Sequence, residues 1–113
     1  ARKETTSALA RFHRIDAIYA HSDAAAHAAS LAAKAAGREK QILFVGTNAL
    51  PQEGISYLSE GILGATLQYP TGGTEAIEAV LKILNDQQVP KIQVLGSRLF
   101  TSGNVKQGGT PIR

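Results

Sequence analysis

The chain has 113 residues, the size of one domain, because a single hydrophobic core usually takes about 100–150 residues. Hydrophobic residues make up 43% of it and charged residues 19%, which is too apolar for a disordered segment. The apolar runs have the length of strands and fall short of the roughly 18 residues that a membrane span needs. Composition therefore favours an ordinary globular domain and excludes membrane, collagen-like and coiled-coil classes.

The net charge of +3 is unevenly distributed: basic residues outnumber acidic ones at both ends of the chain and are outnumbered in the middle. A nucleic-acid surface needs basic residues clustered on one face, often beside stacking aromatics, so we expect no nucleic-acid partner. The chain has no cysteine, which excludes disulfides and thiolate metal sites. The absence of methionine and a first residue Ala1 indicate a processed or excised chain whose signal peptide, if any, has been removed.

The first part of the chain predicts helices and strands in alternation. A short helix is expected over Thr5–Phe12, and the β-branched and aromatic run Ile15–Ala20 predicts a strand. The alanine-rich segment Ala24–Ala36 predicts a closely packed helix that ends at Gly37. The continuous apolar run Gln41–Val45 predicts a strand buried on both faces.

The alternation continues in the second part. Pro51 suits the first position of a helix that ends at Gly61, and Leu63–Tyr69 predicts a third strand. After Gly72-Gly73 comes the most clearly amphipathic helix, because its apolar residues follow helical spacing: Ile77, Val80, Leu81 and Leu84. The remaining segments are predicted to be two short extended stretches followed by a polar, glycine-rich tail: Lys91–Leu95, Arg98–Thr101 and Ser102–Arg113. Gly108-Gly109 predicts that this tail is flexible.

Strands alternating with helices predict an α/β fold with a largely parallel sheet and right-handed crossovers. Ligands of such sheets bind at the carboxyl ends of the strands. Three polar segments lie there: His21-Ser22-Asp23, Thr47-Asn48 and Gln68-Tyr69. Short hydrogen-bonding groups at three strand ends suit a neutral, hydroxyl-rich small molecule. Tyr69 either contacts such a ligand or fills space at the bend before Pro70, and the sequence leaves both roles open.

Other chemistries find little support. His21-Ser22-Asp23 contains the residue types of a catalytic triad, but triads join spatial neighbours rather than sequence neighbours. We expect a strand-end turn in which Ser22 or Asp23 caps the next helix. His21 and His27 lack the i, i+4 spacing of a zinc pair, so no metal or cofactor is expected. Gly72-Gly73 precedes a helix without a phosphate-binding signature, which favours a simple turn.

Read in order, these segments resemble the C-terminal part of the type I periplasmic sugar-binding proteins, the ribose-, galactose- and arabinose-binding group. IDAIYAHSD over Ile15–Asp23 is similar to the family's DAIxAxND, and LFVGTN over Leu43–Asn48 to its strand ending in VGxD/N. GILGATLQYP over Gly61–Pro70 is similar to GxLxATxxQxP, and RLFTSGNV over Arg98–Val105 to xLVTxxNV.

The resemblance implies a Rossmann-like lobe of a two-lobed protein, incomplete in this chain. Residues 1–70 would form part of the C-terminal lobe. Residues 71–90 would hold a crossing helix that packs on the N-terminal lobe, and residues 91–113 a return strand and tail. Carried over singly, Ser22 stands where the family has a ligand-binding asparagine, Asn48 matches the residue after VG, and Gln68 matches the glutamine before the last crossing. His21 is a further candidate beside Ser22.

Such proteins bind and release a solute without chemistry. The resemblance implies capture of a sugar or sugar-like solute in the cleft between the lobes, followed by delivery to an ABC transporter permease or a membrane sensor. It also implies a periplasmic location, or a lipid-anchored extracellular one in a Gram-positive cell. Two alternatives remain: the effector domain of a lac-repressor-like transcription regulator, and a small flavodoxin-like enzyme.

Overall fold

The computed structural model describes residues 1–112 and shows one five-stranded sheet in the order β1-β2-β3-β4-β5. The strands are Ala17–Tyr19 (β1), Leu43–Thr47 (β2), Ala65–Gln68 (β3), Ser97–Thr101 (β4) and Thr110–Ile112 (β5). β1, β2 and β3 are parallel neighbours, whereas β4 runs antiparallel to both β3 and β5. Four of the five strands therefore point in one direction, which confirms the predicted α/β fold and its largely parallel sheet.

In the described part of the chain four α-helices accompany the sheet: Arg2–Arg11 (α1), Asp23–Ala35 (α2), Ser56–Ser59 (α3) and Gly73–Leu84 (α4). A π-helical turn, Pro51–Ile55, leads into α3, and Pro51 occupies the predicted first position. Single 3₁₀ turns lie at Glu39–Gln41 and Val105–Gln107. None of the helices in residues 1–112 is long and apolar enough to cross a membrane.

The core lies between α2 and one face of the sheet. Small side chains of α2, including Ala26, Ala29 and Ala33, are fully buried against Phe44 of β2. Alanine allows this close approach, as predicted from the composition of the segment. Ser22 caps α2 by accepting a hydrogen bond from the Ala25 backbone N–H at 3.2 Å, and so satisfies one of the free donors of the first turn.

The opposite face of the sheet is much less covered. Phe44 of β2 is 3% exposed, but its neighbour Leu43 is 52% exposed and Val45 is only half-buried. Tyr19 of β1, on the same face as Leu43 and Val45, is also exposed. The expectation that the apolar run of β2 is buried on both faces is therefore wrong for this chain, because its helices cover one face only.

Arg38 secures the end of α1, which the sequence did not reveal. Its guanidinium donates hydrogen bonds to the backbone carbonyls of Leu9, Phe12 and His13 at 2.9–3.1 Å. The last carbonyls of a helix have no partner within it and carry partial negative charge. The Arg38 side chain, from the loop after α2, therefore supplies hydrogen-bond donors to these carbonyls and joins α1 to the rest of the fold.

The final segment is not the flexible tail that its glycines predicted. Gly108 and Gly109 have φ values of +83° and +73° and turn the chain into β5. A Cβ on Gly109 would approach the Phe100 ring to 2.9 Å, so a larger residue would collide with the core. The expected extended stretch Lys91–Leu95 forms no strand.

Candidate functional site

The polar residues singled out in the sequence lie at one edge of the sheet. His21 and Ser22 follow β1, Asn48 follows β2, and Gln68 is the last residue of β3. Because β1, β2 and β3 are parallel neighbours, their carboxyl ends form a continuous edge. The structure thus places all four candidates on the same edge, hereafter the carboxyl edge.

Hydrogen bonds between neighbouring strand ends hold the carboxyl edge together. The Thr47 hydroxyl donates to the His21 carbonyl at 2.5 Å and ties the end of β2 to the end of β1. The Asn48 N–H donates to the Leu67 carbonyl at 2.8 Å and extends the β2–β3 pairing by one residue. These two bonds fix the three strand ends relative to one another.

Asp23 is the organising residue that the sequence analysis missed. It is fully buried and accepts two hydrogen bonds, from the Thr66 hydroxyl of β3 at 2.5 Å and from the Ala49 N–H at 2.8 Å. Its side chain thus joins the start of α2 to the turn after β2 and to the interior of β3. The sequence alone predicts only that Asp23 lies among the polar residues at the strand ends and is one of two possible caps of α2.

Two glycines leave room for this carboxylate. A Cβ on Gly46 or on Gly54 would collide with the Asp23 carboxyl group. Burial raises the pKa of Asp23, an effect opposed by the hydrogen bonds from Thr66 and Ala49, and the nearby negative charge of Glu53 adds to the increase. The carboxylate is a structural centre beneath the carboxyl edge rather than a group exposed to ligand.

The four candidates differ in what they offer a ligand. The Ser22 oxygen already accepts from the Ala25 N–H, so its hydroxyl hydrogen remains available to donate. Gln68 is exposed and pairs with Arg98 of β4 in the sheet. The ring of His21 lies 5.5 Å from that of Tyr19, tilted by 55°, and is also exposed.

Asn48 has the most constrained backbone of the four. Its φ is +116°, and that of Ala49 is +53°, so two consecutive non-glycine residues adopt left-handed conformations that cost free energy. Hydrogen bonds from both backbone N–H groups, to Leu67 and to Asp23, stabilise this turn. The Asn48 side-chain oxygen accepts a hydrogen bond from the Tyr69 hydroxyl at 3.1 Å.

The remaining sequence candidates have structural roles. Half-buried His27 lies against Tyr57 with ring centroids 4.4 Å apart, which agrees with a packing residue. Gly72, with a φ of +72°, forms the left-handed turn before α4, as the simple-turn interpretation predicts. Within residues 1–112, no group of three or more His, Cys, Asp or Glu side chains is arranged to hold a metal ion.

A cavity of about 410 Å³ lies between α1 and β1, lined mainly by apolar residues that include Phe12, Ile15 and Ile18. It contains none of His21, Ser22, Asn48 and Gln68. The four candidates on the carboxyl edge therefore lie outside this cavity.

Several solved structures similar to this chain are periplasmic binding proteins or domains. The fructose-binding periplasmic domain of the hybrid two-component system BT1754 is 38% identical, with a TM-score of 0.88 over 95% of this chain and 36% of that one. An ABC transporter periplasmic solute-binding protein from Actinobacillus succinogenes, with bound D-allose, is 26% identical, with a TM-score of 0.84 over 94% and 37%. No protein-family model matches the chain, and no curated protein matches it as a relative.

A third structure shows the same fold at lower identity. The arabinose-binding component of an ABC transporter from Shewanella sp. ANA-3 is 22% identical, with a TM-score of 0.83 over 95% of this chain and 37% of that one. The chain thus spans little more than a third of the length of each of these proteins.

Fold and comparisons together define the class: the chain has the architecture of a lobe of a two-lobed periplasmic binding protein. The resemblance to a C-terminal portion of the type I periplasmic sugar-binding proteins is thereby confirmed.

Proposed function

We propose that the protein containing this chain captures a sugar or sugar-like solute in a cleft between two lobes and performs no chemistry on it. The observation that carries the proposal is the match over 95% of the chain, at 38% identity, to a fructose-binding periplasmic domain. The D-allose complex of a second similar protein supports the same ligand class. Fructose is accordingly the first ligand to test.

In this proposal the carboxyl edge is one wall of the cleft. Ser22 donates from its hydroxyl, Asn48 and Gln68 use carboxamides that both donate and accept, and His21 adds a ring nitrogen. Sugar hydroxyls also donate and accept, so such groups complement them without a charged partner. The carboxyl edge can support such a site because hydrogen bonds between the strand ends fix the backbone that carries these side chains.

The second wall and the cover for α4 would come from the N-terminal lobe. Every residue of α4 is at least partly exposed, and its apolar stripe is largely open to solvent: Ile77 is 65% exposed, Leu81 54% and Leu84 73%. An apolar stripe of this size is normally covered by another surface. We propose that residues 71–90 cross to the N-terminal lobe and pack there, whereas residues 1–70 and the return strand in 91–113 belong to the C-terminal lobe.

Two uses of the captured solute fit the comparisons. One similar structure is a domain of a hybrid two-component system and the other belongs to an ABC transporter, so the partner is a membrane sensor or an ABC transporter permease. Both uses place the protein in the periplasm, or outside a Gram-positive cell on a lipid anchor. The higher identity of the sensor domain favours sensing.

The test is calorimetric titration of the intact protein with D-fructose, D-allose and L-arabinose. We expect at least one sugar to bind, and Asn48→Ala to weaken that binding by about 1–3 kcal/mol through loss of a polar contact in the cleft. Gln41→Ala is the control, because Gln41 is an exposed carboxamide that lies before β2, at the end of the sheet opposite the carboxyl edge.

Absence of binding to every sugar of the panel would contradict the proposed function. Binding that survives Asn48→Ala unchanged would leave sugar capture standing and remove Asn48 from the site.

A further inference from the structure

The contact between Tyr69 and Asn48 joins two strand ends through their side chains. Tyr69 directly follows β3, Asn48 directly follows β2, and the Tyr69 hydroxyl donates to the Asn48 Oδ1 at 3.1 Å. The same two strand ends are also joined by the backbone bond from the Asn48 N–H to the Leu67 carbonyl. The sequence left Tyr69 with two roles, ligand contact or bend filling, and the structure adds a third.

The Tyr69 hydroxyl contacts a side chain that can adopt two orientations, because the carboxamide of Asn48 can rotate about its last torsion. Its backbone is fixed on both sides, by its own N–H bond to Leu67 and by the bond from the next N–H to Asp23. The last torsion of an asparagine side chain has a broad, roughly two-fold preference, and a half-turn exchanges the oxygen with the NH₂ group. One orientation presents a hydrogen-bond donor to the cleft and the other an acceptor.

We propose that Tyr69 is a positioning residue that holds the Asn48 carboxamide in place for contact with the ligand. In the orientation found here the Tyr69 hydroxyl donates to Oδ1, and the Nδ2 group is left to donate to the solute. Asn48 in this orientation recognises an acceptor, a hydroxyl or ring oxygen of the sugar, at its position in the cleft. The proposal rests on the proposed function and names the chemistry of one of its contacts.

The experiment is a double-mutant cycle on the intact protein, with the affinity for the best-binding sugar of the panel measured by calorimetry. We expect Tyr69→Phe to weaken binding about 3- to 10-fold, since the ring remains and only the orienting hydroxyl is lost. Asn48→Ala weakens binding more, and Tyr69→Phe adds no further loss in the Asn48→Ala background, because no carboxamide remains to be oriented.

Two further variants make the cycle specific. Tyr57→Phe is the control: Tyr57 lies on α3 against His27, away from the carboxyl edge, so this variant should bind the sugar with unchanged affinity. Asn48→Asp keeps an oxygen for the Tyr69 hydroxyl but has no donor for the ligand, and we expect it to bind no better than Asn48→Ala. The thermal midpoints of the ligand-free Tyr69→Phe and wild-type proteins should agree within a degree or two.

The outcomes separate this proposal from the one on which it rests. Additive losses from Tyr69→Phe and Asn48→Ala, or full affinity in Asn48→Asp, overturn the positioning role while sugar binding itself stands. Absence of binding to every sugar by the wild-type protein overturns the proposed function, and the positioning role with it.

Discussion

The carboxyl edge and helix α4 are opposite extremes of packing in the same chain. Beneath the carboxyl edge, Asp23 and Thr66 are fully buried and hydrogen-bonded to each other, and glycine is required at 46 and 54 because a single methyl group would collide with Asp23. Helix α4 has an apolar stripe whose side chains all remain more than half exposed.

The difference shows which parts of the fold are self-sufficient. The carboxyl edge is built from contacts within the chain, between residues 19 to 43 positions apart. Helix α4 is built from local propensity alone, and its apolar face needs a surface that these 112 residues do not supply. Substitutions at the carboxyl edge should therefore disturb contacts within this chain, whereas substitutions in α4 should disturb its contact with another surface. Measuring the stability of variants in both regions of the intact protein tests this difference.

The largest effect is expected for Gly46→Ala. The added methyl group meets the Asp23 carboxylate and approaches the Asp23 Cα to 2.9 Å, so the start of α2 must shift. Overpacking of this kind costs about 1–3 kcal/mol, and loss of the Asp23 hydrogen bonds adds to this cost. We therefore expect Gly46→Ala to lower the free energy of unfolding by about 3 kcal/mol, measured by chemical denaturation of the intact protein.

Gly96→Ala is the matched control, because a Cβ there meets no atom within 4 Å and the backbone is not left-handed. It should change the free energy of unfolding by less than about 0.5 kcal/mol, as surface substitutions usually do. Equal effects of Gly46→Ala and Gly96→Ala would show that the carboxyl edge is looser than the structure indicates.

The second largest effect is expected in helix α4, for Leu81→Ala. If the N-terminal lobe covers α4, this change leaves a cavity in the interface and lowers the free energy of unfolding by about 2–3 kcal/mol, as for a buried leucine. Leu31→Ala on α2 is the control, since Leu31 is 42% exposed and lies in a groove beside Lys34. A loss for Leu81→Ala no greater than that for Leu31→Ala would mean that α4 stays exposed in the intact protein.

The sequence was sufficient where structure depends on neighbouring residues. The Ser22 cap, the closely packed alanines of α2 and the stripe of α4 all follow from local pattern, and the rule of parallel strand ends placed Asn48 and Gln68 correctly on the carboxyl edge. Residue roles that need a distant partner were missed. Asp23 meets Thr66 43 positions away, and Arg38 reaches back 25 to 29 positions to the end of α1.

Two errors have a common cause. The apolar run of β2 reports how hydrophobic the strand is, but not which chain covers each face, so the exposure of Leu43 could not be predicted from it. Gly108-Gly109 suggested mobility because glycine permits many conformations. The turn into β5 requires positive φ values at these glycines, and it forms because β4 pairs with β5. A strand of three residues is too short to be predicted from a sequence pattern.

The smallest effect is expected for Asp23→Asn, about 1–2 kcal/mol at neutral pH. The amide offers one oxygen to two donors, from Thr66 and Ala49, and leaves one of them unsatisfied. Part of that loss is recovered because the variant no longer buries a charge. The difference in stability between the wild type and Asp23→Asn therefore depends on pH, and the direction of the pKa shift decides whether it grows or shrinks on acidification.

The folded-state pKa of Asp23 is raised above its ordinary value of 3.8, chiefly by burial, so the native state holds this proton more tightly than the unfolded state. Its contribution to stability is complete below the unfolded-state pKa and is lost as the pH rises through the folded-state pKa. The stability advantage of the wild type over Asp23→Asn should therefore increase as the pH falls from 7 toward 4. Asp16→Asn, at an exposed carboxylate paired with Arg14, is the control and should show no such increase. An advantage that shrinks on acidification would mean that the Thr66 and Ala49 hydrogen bonds outweigh burial, and that the carboxyl edge is organised around a stabilised anion rather than a tolerated one.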